Sequence, residues 1–266
     1  MFSHSSILGR LARRLFSQPM TRWRENQLPA QDVTLCVSGL MMKVFPPRTN
    51  RIGRALYLEG VWEPEATGAF RSLIKPGDTV YDIGGDAGYY TLLFSKAVGP
   101  NGRVVVFEPI PKALERIAEN LELNGVSNVI LIDKALGSKA GSFVLEKPFE
   151  DSRINLARTN AVESDIMVQM ERFDTLAARL SLPVPDLVKM DVEGAELEVL
   201  QGMEDLVRNH HPSFVIELHP QFLPQFGASV DDVAHWLETR GYHLTAVDAG
   251  DISRSHATTI LARVLK

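Results

Sequence analysis

The sequence predicts an α/β fold: a doubly wound, mostly parallel sheet with helices on both faces and an antiparallel hairpin at its C-terminal end. Three observations predict it. Short apolar runs rich in Val, Ile and Phe alternate with segments of helical period, the pattern of strands and crossover helices in a parallel sheet. A glycine-rich turn, Gly84-Gly85-Asp86-Ala87-Gly88, directly follows the first of these runs and opens a helix. The last two strand-like runs, 243–248 and 258–265, lie too close together for a crossover helix, so they must pair antiparallel.

The elements follow in order. Residues 32–45 read as one or two short strands around Ser38-Gly39, and 79–84 as the first sheet strand, with a helix from about 88 to 98. The run 103–108 (RVVVFE) is the second strand. The helix over 111–124 has Pro111 in its first turn, Ala113, Leu114, Ile117, Ala118 and Leu121 on one face, and Gly125 just past its end. Residues 129–136 read as a third strand and 141–147 as a short extra one, while 148–169 is polar, without period, and reads as a mobile loop. A helix over 173–180, a strand over 186–192 and a helix over 195–208 with a break near Gly202 come next. A strand over 213–219 then leads to a helix over 230–240, set between Ser229 as N-cap and Gly241 as stop.

Composition bounds the class. The chain has 266 residues, 45% hydrophobic and 23% charged, which supplies a sizeable core and excludes a disordered chain. The single cysteine, Cys36, excludes a disulfide framework and any multi-thiolate metal site and points to a reducing compartment, the cytoplasm. No stretch approaches the roughly 18 apolar residues of a membrane span, and a net charge of −5 gives nucleic-acid binding no electrostatic support. Residues 1–24 carry five arginines and no acid, with Leu8, Leu11 and Leu15 at helical spacing. The chain therefore divides into a basic tail, 1–30, and one domain, 31–266. The tail suits peripheral contact with an anionic membrane surface, a transit peptide or a solvated end, and those readings stay open.

The first strand ends at Asp82, in the pattern D-x-G-x-x-x-G through Gly84, Gly85, Asp86 and Gly88. In open α/β sheets ligands bind outside the carboxyl ends of the strands, and glycines there let the backbone approach closely. Dinucleotide sites use G-x-G-x-x-G to aim a helix N-terminus at a pyrophosphate. Asp82 and Asp86 would repel that group but attract a cation such as the sulfonium or ammonium of S-adenosylmethionine. Glu108, with Pro109 beside it, ends the second strand, where a carboxylate accepts hydrogen bonds from ribose hydroxyls. Asp133 ends the third, as an adenine contact or a solvated strand-end acid.

Within DLVKMDVEGAELEVL, Lys189 and Asp191 share one strand face, and Val188, Met190 and Val192 share the other. A lysine in a buried strand needs a partner, and Asp191 or Asp82 on the neighbouring strand can supply one. Glu193 and Glu196 flank the next helix; Glu196 reads as a complement to its dipole. On the fifth strand Glu217 and His219 emerge together at the carboxyl edge, facing the same cleft as Asp191, and His219 is a candidate general base.

The runs VYDIGGDAGYYTLLFS, VVFEP, DLVKMDVEGAELEVLQGM and FVIELH resemble the FkbM family of S-adenosylmethionine-dependent methyltransferases over about residues 55–265, with K-x-D-x-E-G-x-E the most specific block. The resemblance implies the Rossmann-like class I methyltransferase fold, a sheet of about seven strands, and O-methylation of a hydroxyl on a sugar, polyketide or similar small molecule or glycan. By position, Asp82, Gly84 and Gly88 match the family's cofactor loop and Glu108 its ribose-binding acid. Asp86 stands where relatives often carry asparagine.

The resulting expectation is methyl transfer to a hydroxyl, with His219 or Asp191 as base, Glu217 beside them and Lys189 orienting Asp191. In the alternative on the same fold, Asp191, Glu217 and His219 hold a divalent cation that acidifies the hydroxyl. A nicotinamide-dependent oxidoreductase and a non-catalytic nucleoside-binding module are the remaining readings. The acceptor's specificity belongs to the loops 148–169 and 219–227.

Overall fold

The computed structural model describes residues 27–145, 166–247 and 257–265. The basic segment 1–24 and most of the expected loop 148–169 therefore lie outside the described residues.

The described chain opens with an antiparallel hairpin, β1 (Val33–Val37) and β2 (Leu40–Val44), turned at Ser38 and Gly39, which both have positive φ. Two helices that sequence reasoning leaves unassigned follow: α1 (Arg51–Glu59) and α2 (Pro64–Leu73). The alternating part comprises β3 (Thr79–Ile83), α3 (Tyr89–Val98), β4 (Arg103–Phe107), α4 (Pro111–Leu123) and β5 (Val129–Ile132). After β6 (Ala135–Gly137), β7 (Gly141–Leu145) and β8 (Ile166–Arg172) come α5 (Phe173–Leu180), β9 (Leu187–Met190), α6 (Glu196–Gly202) and α7 (Glu204–His210). The chain then runs through β10 (Ser213–Leu218), a 3-10 turn (Leu223–Phe226), α8 (Val230–Glu238), β11 (Tyr242–Ala246) and β12 (Thr258–Val264).

The main sheet has seven strands in the order β11-β12-β10-β9-β3-β4-β5. β12 runs antiparallel to both its neighbours, and the other pairs are parallel. The order reverses at β3, so the crevice beyond its carboxyl end is the expected ligand site. Alternation along the strands sorts side chains between two cores. Tyr81, Ile83, Val105, Val188, Met190, Phe214 and Ile216 pack against α5 to α8. Val80, Val104, Val106 and Val215 pack against α3 and α4 and against the β1–β2 hairpin through Met42 and Val44. Each such buried side chain contributes about 1.5–3 kcal/mol of transfer free energy.

Two expectations need correction. The run 129–136 is not one strand: it breaks after Ile132, and β6 leaves the main sheet to pair with β8 in a three-stranded sheet of order β6-β8-β7. Residues 166–169, expected in a loop, begin β8, whose pairing with β6 and β7 supplies what local sequence does not. Close packing holds the small sheet to the body. A Cβ on Gly202, the last residue of α6, would lie 2.2 Å from the carbonyl oxygen of Gly137. The expected break there, and the Ser229 cap, are both present: Ser229 and Asp232 form a capping box.

Candidate active site

The carboxyl edge of the sheet is built in two ways. At β3 and β4, backbone dominates. Gly84 takes φ +80°, and a Cβ there would lie 1.9 Å from the carbonyl oxygen of Asp191, so only glycine lets the β3 and β9 ends meet. A Cβ on Gly85 would lie 2.6 Å from Val106 Cγ1. Gly88, at φ +84°, is the N-cap of α3. Asn120, fully buried on α4, fixes this turn from behind: its amide donates to the carbonyls of Ala87 and Lys43, each at 3.0 Å, tying turn and hairpin to one helix.

Glu108 closes this half. One of its oxygens accepts from Asp86 N–H and the other from Ile110 N–H, both at 2.9 Å. Burial pushes its carboxyl up to about 8, against the downward pull of those two N–H groups. Pro109 lies beside it on the cavity wall. Asp133 is placed differently: its largely exposed carboxylate pairs with Lys134 Nζ at 2.9 Å, while Lys134 and Ala135 line the cavity.

Asp82 and Lys189 sit in register on β3 and β9. Lys189 Nζ lies 3.1 Å from Asp82 Oδ1, donates to the carbonyl of Gly84, and stands 4.0 Å from Asp191 Oδ2. Asp82 Oδ2 accepts from Thr91 Oγ1 at 2.6 Å. Burial works against the ammonium, but the charges of Asp82 and Asp191 outweigh it and raise its pKa. Lys189 thus finds the neighbouring-strand partner, and the pair locks the glycine turn to β9. Asp82 is fully buried in this pair, beneath the turn.

Side chains dominate the other half. The β9–α6 turn takes two successive positive-φ residues, Glu193 at +50° and Gly194 at +103°. His219, 5% exposed, receives every nearby acid: its Nδ1 is 2.7 Å from Glu196 Oε1, and its Nε2 lies 3.5 Å from Glu193 and 3.7 Å from both Asp191 and Glu217. Burial acts to lower the imidazole's pKa, but the Glu196 hydrogen bond and the charges of Asp191 and Glu193 push it up to about 9. Burial, then the charges of Asp191 and Glu63, pushes Glu217 up to about 8. Phe222 stacks on the imidazole, with ring centroids 6.1 Å apart.

Sequence reasoning therefore brings Asp191, Glu217 and His219 together correctly but misreads Glu196. That carboxylate is fully buried; it accepts from Gly194 N–H at 3.0 Å and holds His219, so its role is not that of a solvated dipole complement. Glu63 is missed altogether. It caps α2 at φ +42° and accepts from Tyr90 Oη at 2.8 Å; burial and Asp191 raise its pKa. The dipeptide Glu63-Pro64, an acid directly before a helix-starting proline, was the available signal.

A cavity of about 420 Å³ joins the two halves, within the usual range of small-molecule sites. Its lining includes Glu108 together with Asp191, Glu217 and His219, the apolar side chains of Leu136, Phe143, Val168 and Met170, and Arg51 and Trp62. The residues present fit S-adenosylmethionine: apolar side chains for a purine, the Glu108 carboxyl for the ribose, and Asp86 at the glycine turn, an acid that would repel a pyrophosphate.

Residues 81–244 match the FkbM methyltransferase domain. The chain is 31% identical over 185 residues to the hexuronic acid methyltransferase AglP of Haloferax volcanii, covering 69% of this chain and 72% of that one. It is 29% identical over 164 residues to methyltransferase 1 of Beauveria bassiana, covering 54% of this chain and 66% of the other. Among solved structures it aligns with methyltransferase FkbM from Methylobacillus flagellatus at 16% identity and a TM-score of 0.48, over 74% of this chain and 50% of that one. The glycine turn, Glu108 and the K-x-D-x-E-G-x-E block all fall inside the matched span, and the chain belongs to the FkbM family of S-adenosylmethionine-dependent methyltransferases.

Proposed function

We propose that this methyltransferase acts on a hydroxyl oxygen of a sugar or sugar-like small molecule. One observation carries the reading: a single cavity is lined both by Glu108 and by the Asp191–Glu217–His219 cluster. S-adenosylmethionine supplies an electrophilic methyl on a positively charged sulfur. Glu108 holds its ribose, and the glycine turn allows close approach. The acceptor lies beside the acid cluster, where Arg51 and Trp62, packed on each other with the guanidinium 4.7 Å over the ring, also line the cavity. During methyl transfer to the acceptor oxygen, the carboxylate cluster would take the hydroxyl proton. Asp191, one-third exposed, is its most accessible member. Alignment of nucleophile and methyl in a water-poor cleft supplies much of the acceleration. The sugar assignment draws further support from the relative named as a hexuronic acid methyltransferase.

The test is methyl transfer from labelled donor to a panel of hexuronic acids, neutral hexoses, amines and simple carboxylic acids. An ether-linked methyl on a sugar hydroxyl is the expected product. Transfer confined to amines or carboxyl groups would contradict the reading.

A further inference from the structure

The two nitrogens of His219 are treated differently. Nδ1 is committed to Glu196, a fully buried carboxylate. Nε2 makes no hydrogen bond among the described residues, although the side chain is 5% exposed, and it faces oxygens of Asp191, Glu193 and Glu217. A carboxylate that fixes one imidazole nitrogen while the other points into a cluster of acids is the outer-shell arrangement of a metal-ligating histidine. One ligand atom from each of Asp191, Glu217 and His219 lies within 4.8 Å of the other two. That spacing lets one ion reach all three at the usual bond lengths of about 2.0–2.6 Å.

Charge points the same way. Asp191, Glu193, Glu196 and Glu217 surround His219, while Lys189, the nearest ammonium, sits 3.1 Å from Asp82 and only 4.0 Å from Asp191. Glu196 Oε2 is buried without a hydrogen-bond partner among the described residues. A divalent ion in their midst would offset the mutual repulsion of these acids, of which only Glu196 is fully buried. Asp191 leaves the cluster open to the cavity, so further coordination positions fall to water or substrate.

We propose that Asp191, Glu217 and His219 bind a divalent cation, through Nε2 and one oxygen of each carboxylate, with the acceptor hydroxyl as an additional ligand. Two carboxylates and one imidazole suit manganese or magnesium better than thiophilic ions. A cation there would acidify the bound hydroxyl, and the proton still leaves to a carboxylate of the cluster. This purpose rests on the methyl-transfer reading, but binding can be tested without any acceptor.

The experiment titrates the full chain with Mn²⁺ alone, followed by electron paramagnetic resonance, and measures S-adenosylmethionine affinity separately by calorimetry. One saturable Mn²⁺ per chain is expected. His219→Ala, Glu217→Gln and Asp191→Asn should each weaken it at least tenfold, and Glu196→Gln by roughly 10–100-fold. Donor affinity should stay within twofold in every variant, which also certifies their fold. Absence of saturable binding, or equal Mn²⁺ affinity in all four variants, would overturn the proposal. So would release of Mn²⁺ on adding S-adenosylmethionine, which would assign the carboxylates to the donor's own cationic groups. Mn²⁺ bound by these residues in a chain that binds no S-adenosylmethionine would instead sink the methyl-transfer reading and leave the metal site standing.

Discussion

The two halves of the cleft are built from different materials. The β3–β4 half is backbone: glycines that admit no added carbon, and peptide N–H groups that hold the Glu108 carboxyl on the cavity lining. The β9–β10 half is side chain: four acids converge on one imidazole from two strand ends, a turn and a helix start. The first half is sensitive to volume, the second to charge. The Asp82–Lys189 pair is the joint between them, since Lys189 holds Asp82 and the Gly84 carbonyl on one side and faces Asp191 on the other.

Breaking that joint should have the largest effect. Lys189→Met leaves Asp82 buried without its cation and should cost about 3–5 kcal/mol of stability, read from urea unfolding. A cost under 1 kcal/mol would show that the two halves do not depend on the pair. Volume alone comes next. Gly84→Ala places a carbon against the Asp191 carbonyl at positive φ and should cost about 2–4 kcal/mol, with weakened donor binding. An alanine variant with wild-type stability and donor affinity would remove the close approach from the account.

The smallest effect concerns the buried carboxyl of the backbone half. Glu108 is pushed from 4.5 up to about 8 in the fold. Between those values the folded chain therefore binds more protons than the unfolded chain, so this group's contribution to stability falls as pH rises. Glu108→Gln should flatten that part of the stability profile relative to wild type. Parallel profiles for the two proteins from pH 4.5 to 8 would contradict the burial of an ionisable group there.

The same contrast explains what was legible in the sequence. Buried parallel strands read as apolar runs because both faces are covered, and β3, β4, β9 and β10 fall where those runs lie. The in-strand lysine announced that it needs a partner, Asp191 or Asp82, because an unpaired ammonium in such a strand is too costly, and the fold brings Asp82 the nearer of the two. The glycine turn is local and could be read directly. Glu196 could not. An acid in a first helical turn looks like a dipole complement, and its burial is decided by His219, 23 residues away. The split of 129–136 was hidden for the same reason: β6 is defined by pairing with β8, across an interval that local period does not report.

The most direct test of the division measures S-adenosylmethionine affinity and turnover side by side in Glu108→Ala and Asp191→Asn. Glu108→Ala should weaken donor binding by about 1–3 kcal/mol, the range for leaving a buried hydroxyl without its partner, or roughly five- to a hundredfold. Asp191→Asn should keep donor affinity within twofold and lose roughly 10²–10⁴-fold in turnover. The reverse pattern, donor affinity lost in Asp191→Asn and unchanged in Glu108→Ala, would contradict the assignment of donor and acceptor to the two halves.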